Sequence, residues 1–169
     1  MAEQFLTLMA DLDDESQARV SGWYAALKSE GFTGVQTPGL PYHISLATFA
    51  LDREETAAET ARKTAAAFAP VPVHISHIGI FPGGRVLFGG PERSGRLDQL
   101  HEACDLHPDP QRPWTPHVTI LMDEPDRICA AVPLLLREFR PFVGRIVRLH
   151  LCAFWPAREI ISAPLTGAR

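Results

Sequence analysis

Residues 41–46 read Pro41-Tyr42-His43-Ile44-Ser45-Leu46, and residues 116–120 read Pro116-His117-Val118-Thr119-Ile120. On a β-strand, side chains two residues apart share a face. His43 and Ser45 then stand together on one side, while Ile44 and Leu46 point into a core. His117 and Thr119 stand over Val118 and Ile120 in the same way. An apolar anchor beneath each polar pair fixes it on the sheet.

The surroundings of the two stretches also match. Each is followed by an acidic residue, a helix-forming run and a long β-rich run that ends in phenylalanine, at Phe81 and at Phe154. Residues from about 41 to 81 and from about 116 to 154 thus form an internal repeat within a single domain, 1–169. Two copies suggest two related lobes, since a solenoid needs at least three. The remaining punctuation fills in the order of elements. Phe5 to Asp11 reads as a strand, and a helix runs from an Asp13 or Asp14 cap to about Glu30, where Gly31 stops it. His43 to Ala50 is a strand, and Asp52 caps an alanine-rich helix through Phe68. Val71 to Phe81 and Arg85 to Phe88 form a hairpin around Pro82-Gly83-Gly84, with Gly89-Gly90-Pro91 as a loop. Helices over Leu97 to Cys104 and Asp126 to Phe139 flank a strand from His117 to Met122. Phe142 to Phe154 and Glu159 to Leu165 are the last strands, joined by a turn at Trp155-Pro156-Ala157. The fold class is α+β: two pseudo-symmetric lobes of antiparallel sheet with outer helices and a central cleft.

Composition bounds the function. A chain of 169 residues with 46% hydrophobic and 21% charged residues can bury a real core. Its net charge of −4 and pI near 5.9 exclude a broad basic surface that grips long duplex nucleic acid. A small anion in one local pocket remains compatible. Cys104, Cys129 and Cys152 are an odd, widely spaced set and read as reduced thiols. No leader or membrane segment is visible, so a cytoplasmic monomer is expected.

An imidazole is a general base when neutral and a general acid when protonated. A hydroxyl two residues on can donate a hydrogen bond to a phosphate oxygen. Two such pairs facing one cleft supply a base, an acid and two oxygen clamps. That kit suffices for displacement at phosphorus without a metal or other cofactor.

The two histidine–hydroxyl motifs, one per half, resemble those of the 2H phosphoesterase superfamily. The nearest resemblance is to its 2′-5′ RNA ligase-like (LigT-type) and cyclic phosphodiesterase branch. It covers roughly Phe5 to Leu165 and includes the hairpin from Ile80 to Phe88. By this resemblance His43 and His117 are the catalytic pair, and Ser45 and Thr119 bind the phosphate. It implies hydrolysis of 2′,3′-cyclic phosphates on RNA ends or small nucleotides, with reversible 2′-5′ ligation as a further activity. Two alternatives remain: a cyclic phosphodiesterase of a metabolite such as ADP-ribose cyclic phosphate, and an inactive nucleotide-binding module. Ser45 stands where threonine is commoner. Leu121-Met122-Asp123 stands where many LigT-like members carry an arginine, which favours short substrates.

Tyr42, Phe49 and Trp155 are candidates for stacking on a base. Tyr42 adjoins His43, Phe49 shares its strand face by simple alternation, and Trp155 follows the second long strand. His74-Ile75-Ser76 is a third match to the motif, but it falls after the helix of the repeat and has no counterpart. His101, Cys104 and His107 invite a zinc reading. On a helix the outer two diverge by about 120°, and no fourth ligand lies at a suitable spacing.

Overall fold

The computed structural model describes residues 4–111 and 113–168. Phe5–Leu12 forms β1, and its alternation is two-sided. Leu6, Leu8, Ala10 and Leu12 enter the main core, while Met9 joins Cys152 and Phe154 in a smaller cluster on the other face. The other strands are β2 (His43–Phe49), β3 (Val71–Ile80), β4 (Val86–Pro91), β5 (Val118–Met122), β6 (Phe142–Phe154) and β7 (Arg158–Pro164). They make one antiparallel sheet in the order β2-β1-β6-β3-β4-β5, with β7 added to β6. The long β6 joins the two halves. Its first residues, 142–146, pair with β3, and its later ones pair with β1 on one edge and β7 on the other.

Four helices, α1 (Asp14–Ser29), α2 (Glu54–Ala67), α3 (Gly95–Cys104) and α4 (Pro125–Glu138), pack on this sheet. The Asp13 carboxylate caps α1 by accepting from the Ser16 amide at 2.9 Å, a contact that contributes about 1 kcal/mol. Trp23 of α1 packs its ring on Phe139 and Phe142, with centroids 4.7 and 5.7 Å away, and this ties α1 and α4 to the β3-β4-β5 half. Alanines 57, 58, 61 and 65 form the buried stripe of α2, small enough to let it lie close along β1, β6 and β7. Among the described residues no helix is long and apolar enough to cross a membrane.

Three expectations need correction. Asp52 does not cap α2: it lies in a 3-10 turn, Leu51–Arg53, that tightens the entry, and α2 starts at Glu54 with no side-chain cap. Gly89-Gly90-Pro91 is the end of β4 rather than a loop. The glycines are needed because a Cβ at 90 would collide with the His77 ring, and one at 89 would press on Ile75. Both can sit in a strand when a neighbouring side chain takes the space.

The third correction concerns Phe49. Simple alternation fails because β2 carries a bulge. Met9 pairs with Ser45 and Leu8 with Ala47, which leaves Leu46 as the extra residue. Such an insertion switches every later side chain to the opposite face. His43 and Ser45 therefore remain opposite the core, while Ala47 and Phe49 turn into it. Phe49 is a buried core residue and is withdrawn as a stacking surface. β5 repeats the device. Phe88 pairs with Thr119 and Leu87 with Leu121, so Ile120 is its extra residue. From either histidine onward the pattern is the same: half-buried, buried, half-buried, buried, buried, exposed.

Candidate active site

Ser45 and Thr119 share one cavity of about 510 Å³ with His43, Tyr42 and Trp155. The placement follows from the sheet's curl. β2 and β5 are the two ends of the strand order, yet they come into contact with each other. The motif strands are thus edge strands brought together, and each bulge falls one residue past its hydroxyl. His117 stands two residues before Thr119, beside the cavity rather than on its lining.

The two histidines are oriented alike. His43 Nδ1 donates to the Pro41 carbonyl at 2.7 Å, and His117 Nδ1 donates to the Thr115 carbonyl at 2.9 Å. A carbonyl can only accept, so Nδ1 carries the proton and Nε2 holds the lone pair of the neutral ring. Each bond reaches back two residues along the chain.

Burial lowers the pKa of both rings. For His43 the effect of burial is opposed by the Pro41 hydrogen bond and by Asp11, and reinforced by His117 and His150. For His117 it is opposed only by the hydrogen bond to Thr115. The surroundings explain the difference. His117 is boxed by Phe81 and Phe88, edge-on with centroids 4.7 and 5.7 Å away. Asp11 pairs directly across the strands with His43.

Tyr42 is half-buried, and burial raises its phenol pKa; Trp155 is exposed at the rim, edge-on to Phe154. In the stretch after the second motif, Leu121 is buried, Met122 lines the cavity, and Asp123 lies 3.7 Å from Arg127. Of the described lining residues, Lys28 alone carries a fixed positive charge. Arg85 is engaged by Glu124 at 2.5 Å, and Arg148 donates to Ser162 at 2.9 Å.

The other candidate motifs lie elsewhere. His74 pairs with Glu92 at 3.2 Å, and Ser76 contacts the neighbouring His77 ring. His101 stacks on Trp114 at 3.9 Å and donates to the Leu46 carbonyl at 2.8 Å. Cys104 is buried in the core, where burial pushes its thiol up to about 12. These contacts commit His101 and Cys104 to packing.

Sequence reasoning missed two supports. Trp114 Nε1 donates to the Ser45 carbonyl at 2.9 Å. With the His101 bond, this satisfies adjacent carbonyls at the β2 bulge. Thr115, next along, holds His117. One dipeptide therefore fastens both motif strands. The second is Asp11, which ends with a charge the face of β1 opposite the main core. Counting Phe5, Thr7, Met9 and Asp11 as one face was the available signal.

The family model of the 2′-5′ RNA ligase superfamily matches residues 12–154. Among solved structures, the chain is similar to a phosphoesterase with 17% identity, covering 96% of this chain and 99% of that one, TM-score 0.67. It is similar to E. coli LigT complexed with NADP+ at 19% identity, covering 98% and 99%, TM-score 0.65. It also resembles TT0787 of Thermus thermophilus at 16% identity, covering 98% and 100%, TM-score 0.64. At these identities the likeness is one of fold. No curated protein matches the chain.

Proposed function

The chain belongs to the 2′-5′ RNA ligase superfamily, and we propose on that premise that it is a metal-independent phosphodiesterase. Its substrates are 2′,3′-cyclic phosphates on RNA ends or small nucleotides. The observation that carries this reading is the paired geometry: two histidine–hydroxyl motifs on edge strands that meet, each with Nδ1 tied to its own backbone. Both Nε2 atoms are free to exchange protons with substrate. One neutral imidazole takes a proton from water, whose oxygen attacks phosphorus. The other, protonated, gives its proton to the departing ribose oxygen as the P–O bond breaks. The product is a ribose phosphomonoester with one free hydroxyl, and the two rings have exchanged protonation states. Ser45 and Thr119 donate to the non-bridging oxygens.

Nucleotide-sized ligands suit this reading. Crystals of E. coli LigT hold 3′-AMP, ATP, NADP+ and phosphate. A cavity with Lys28 as its fixed cation favours a single phosphate over a long polyanion. The same observation favours, as a second reading, a small metabolite such as ADP-ribose cyclic phosphate.

The test is a screen with chelator present, using 2′,3′-cyclic mononucleotides, cyclic-phosphate-ended RNA, 2′-5′ dinucleotides and ADP-ribose cyclic phosphate. Cleavage of at least one cyclic phosphate without metal is expected. His43→Ala and His117→Ala should each lower turnover by about 10²–10⁴-fold, the usual scale for losing a positioned acid or base, with the fold intact. Near-normal turnover in either variant, or strict metal dependence, sinks the proposal.

A further inference from the structure

Behind His43 lies a charged cluster that the motifs do not include, with Asp11 and His150 buried and Glu159 exposed. Asp11 is the cross-strand partner of His43 and is only 5% exposed. It lies on the face of β1 opposite Ala10 and Leu12, the face that carries Met9. On the next strand His150 is 6% exposed, and its neighbours Leu149 and Leu151 point into the core, so it shares the face of Asp11. Asp11 Oδ2 lies 3.4 Å from His150 Nδ1, and Glu159 of β7 lies 3.1 Å from His150 Nε2. Cys152 Sγ is 3.2 Å from the same nitrogen. Among the described residues, buried Asp11 Oδ1 and buried His150 Nδ1 both lack a hydrogen-bond partner, so the 3.4 Å approach is an ion-pair contact only.

An apolar side chain would fit this setting better, since a buried carboxylate with an uncommitted oxygen opposes folding. The other cation across from it, Arg148 of β6, is exposed and bonded to Ser162. Among the described residues the second motif has no such carboxylate. Its strand runs beside Gly89 of β4, with Gly90 next along, although the His77 ring lies over Gly90 there.

We infer that Asp11 is a positioning residue for His43: its buried carboxylate, across the strands from His43 and 3.4 Å from His150, is a negative charge that favours the protonated His43 ring and makes two otherwise equivalent histidines unequal. The inference rests on the reading of His43 as an acid–base group. The ionisable groups that act on His43 are Asp11 from β1, His150 from β6 and His117 from just before β5. Asp11 alone among them favours the imidazolium, and the other two oppose it. His150 itself is shifted up, first by its contact with Asp11 and also by Glu159, against burial. The same contact favours the protonated His150 ring, which in that form offsets part of the carboxylate's charge.

The experiment is an NMR pH titration of the histidine rings in the full chain, for wild type, Asp11→Asn and His150→Gln. It is run beside kcat/KM–pH profiles with 2′,3′-cyclic AMP. In D11N the His43 midpoint should move to lower pH while that of His117 stays, and one limb of the rate profile should move with it. H150Q should move the His43 midpoint the other way. An unmoved His43 midpoint in D11N, or equal movement of both histidines, overturns the inference. Should D11N fail to fold, a His43 midpoint that is unmoved or lowered in H150Q does the same. The titration needs no turnover. An inactive wild type with the His43 shift intact would defeat the catalytic reading and leave the role of Asp11 standing.

Discussion

Gly79→Ala tests whether the second motif depends on aromatic packing from the neighbouring hairpin. Gly79 of β3 pairs with Phe88 of β4, and the Phe88 ring lies over it. A Cβ at position 79 would stand 2.7 Å from Phe88 Cε2 and 3.1 Å from Cε1, and nearer still to Cζ. Ordinary carbon contacts are about 3.5–4.0 Å, so the ring must retreat by about 1 Å. It has little room. Phe88 is 8% exposed and wedged between Phe81 and His117. Overpacking of this kind costs about 1–3 kcal/mol, against which the stiffer unfolded chain returns about 0.4–1. The net destabilisation is about 0–2.6 kcal/mol, which for a chain of this size lowers Tm by up to about 10 °C. The displaced ring moves His117, and a misplacement near 1 Å can cost about 10²-fold in turnover. The assay pairs thermal unfolding with kcat/KM on a 2′,3′-cyclic nucleotide. Gly22→Ala is the control, because nothing lies within 4 Å of its Cβ and it sits inside α1. It should gain up to about 1 kcal/mol and keep its activity. A G79A protein with unchanged Tm and unchanged kcat/KM would refute the claim that Phe88 seats His117.

Two further predictions use the same assay. The kcat/KM profile should be bell-shaped with its maximum below pH 6.5, because burial lowers both His43 and His117 from the ordinary histidine value. Under the proposed mechanism the rate already falls as pH rises through 6.5, because the ring that must be protonated has lost its proton; a maximum above pH 6.5 would contradict the burial argument. Trp114→Phe removes the indole N–H from the half-buried Ser45 carbonyl and should destabilise the protein by about 0.5–1.5 kcal/mol, the net worth of such a hydrogen bond. It should lower kcat/KM at the same time, and a variant equal to wild type in both would show that the loop does not hold β2 in place.

The fold was legible wherever period and punctuation agreed. Phe142–Phe154 matches its expected bounds, and the Asp13 cap and Gly31 stop bracket α1 as anticipated. Reading fails where register changes. A period of two carries no mark of an inserted residue, so alternation puts Phe49 on the wrong face although it places the residues before Leu46 correctly. The turn signal of Gly89-Gly90-Pro91 is overridden by tertiary packing, because the His77 ring occupies the space above the second glycine. Asp11 and Trp114 escape notice for a third reason. Each reaches the site through a partner far along the chain, and neither carries a motif.

The bulges also bear on why two motifs are needed. A strand that alternated without interruption would put the polar pair and every second later residue on one face, and Ala47, Phe49 and Leu121 would be drawn out of the core. The extra residue confines the polar face to a histidine and a hydroxyl, then returns the strand to apolar packing at once. Each edge strand can therefore offer one ring and one hydroxyl, and a second pair has to come from the other edge of the curled sheet. This gives the acidic composition a sharper meaning. A net charge of −4 with one lysine on the cavity lining leaves little electrostatic attraction for an extended polyanion. Recognition under the proposed reading falls to a few hydrogen bonds around a single phosphate and to the apolar surfaces of Tyr42 and Trp155. Binding of the cleavable substrate should then depend on salt only weakly, with a slope set by one or two charges; a steep slope, such as many phosphate contacts produce, would argue for a basic path outside the cavity.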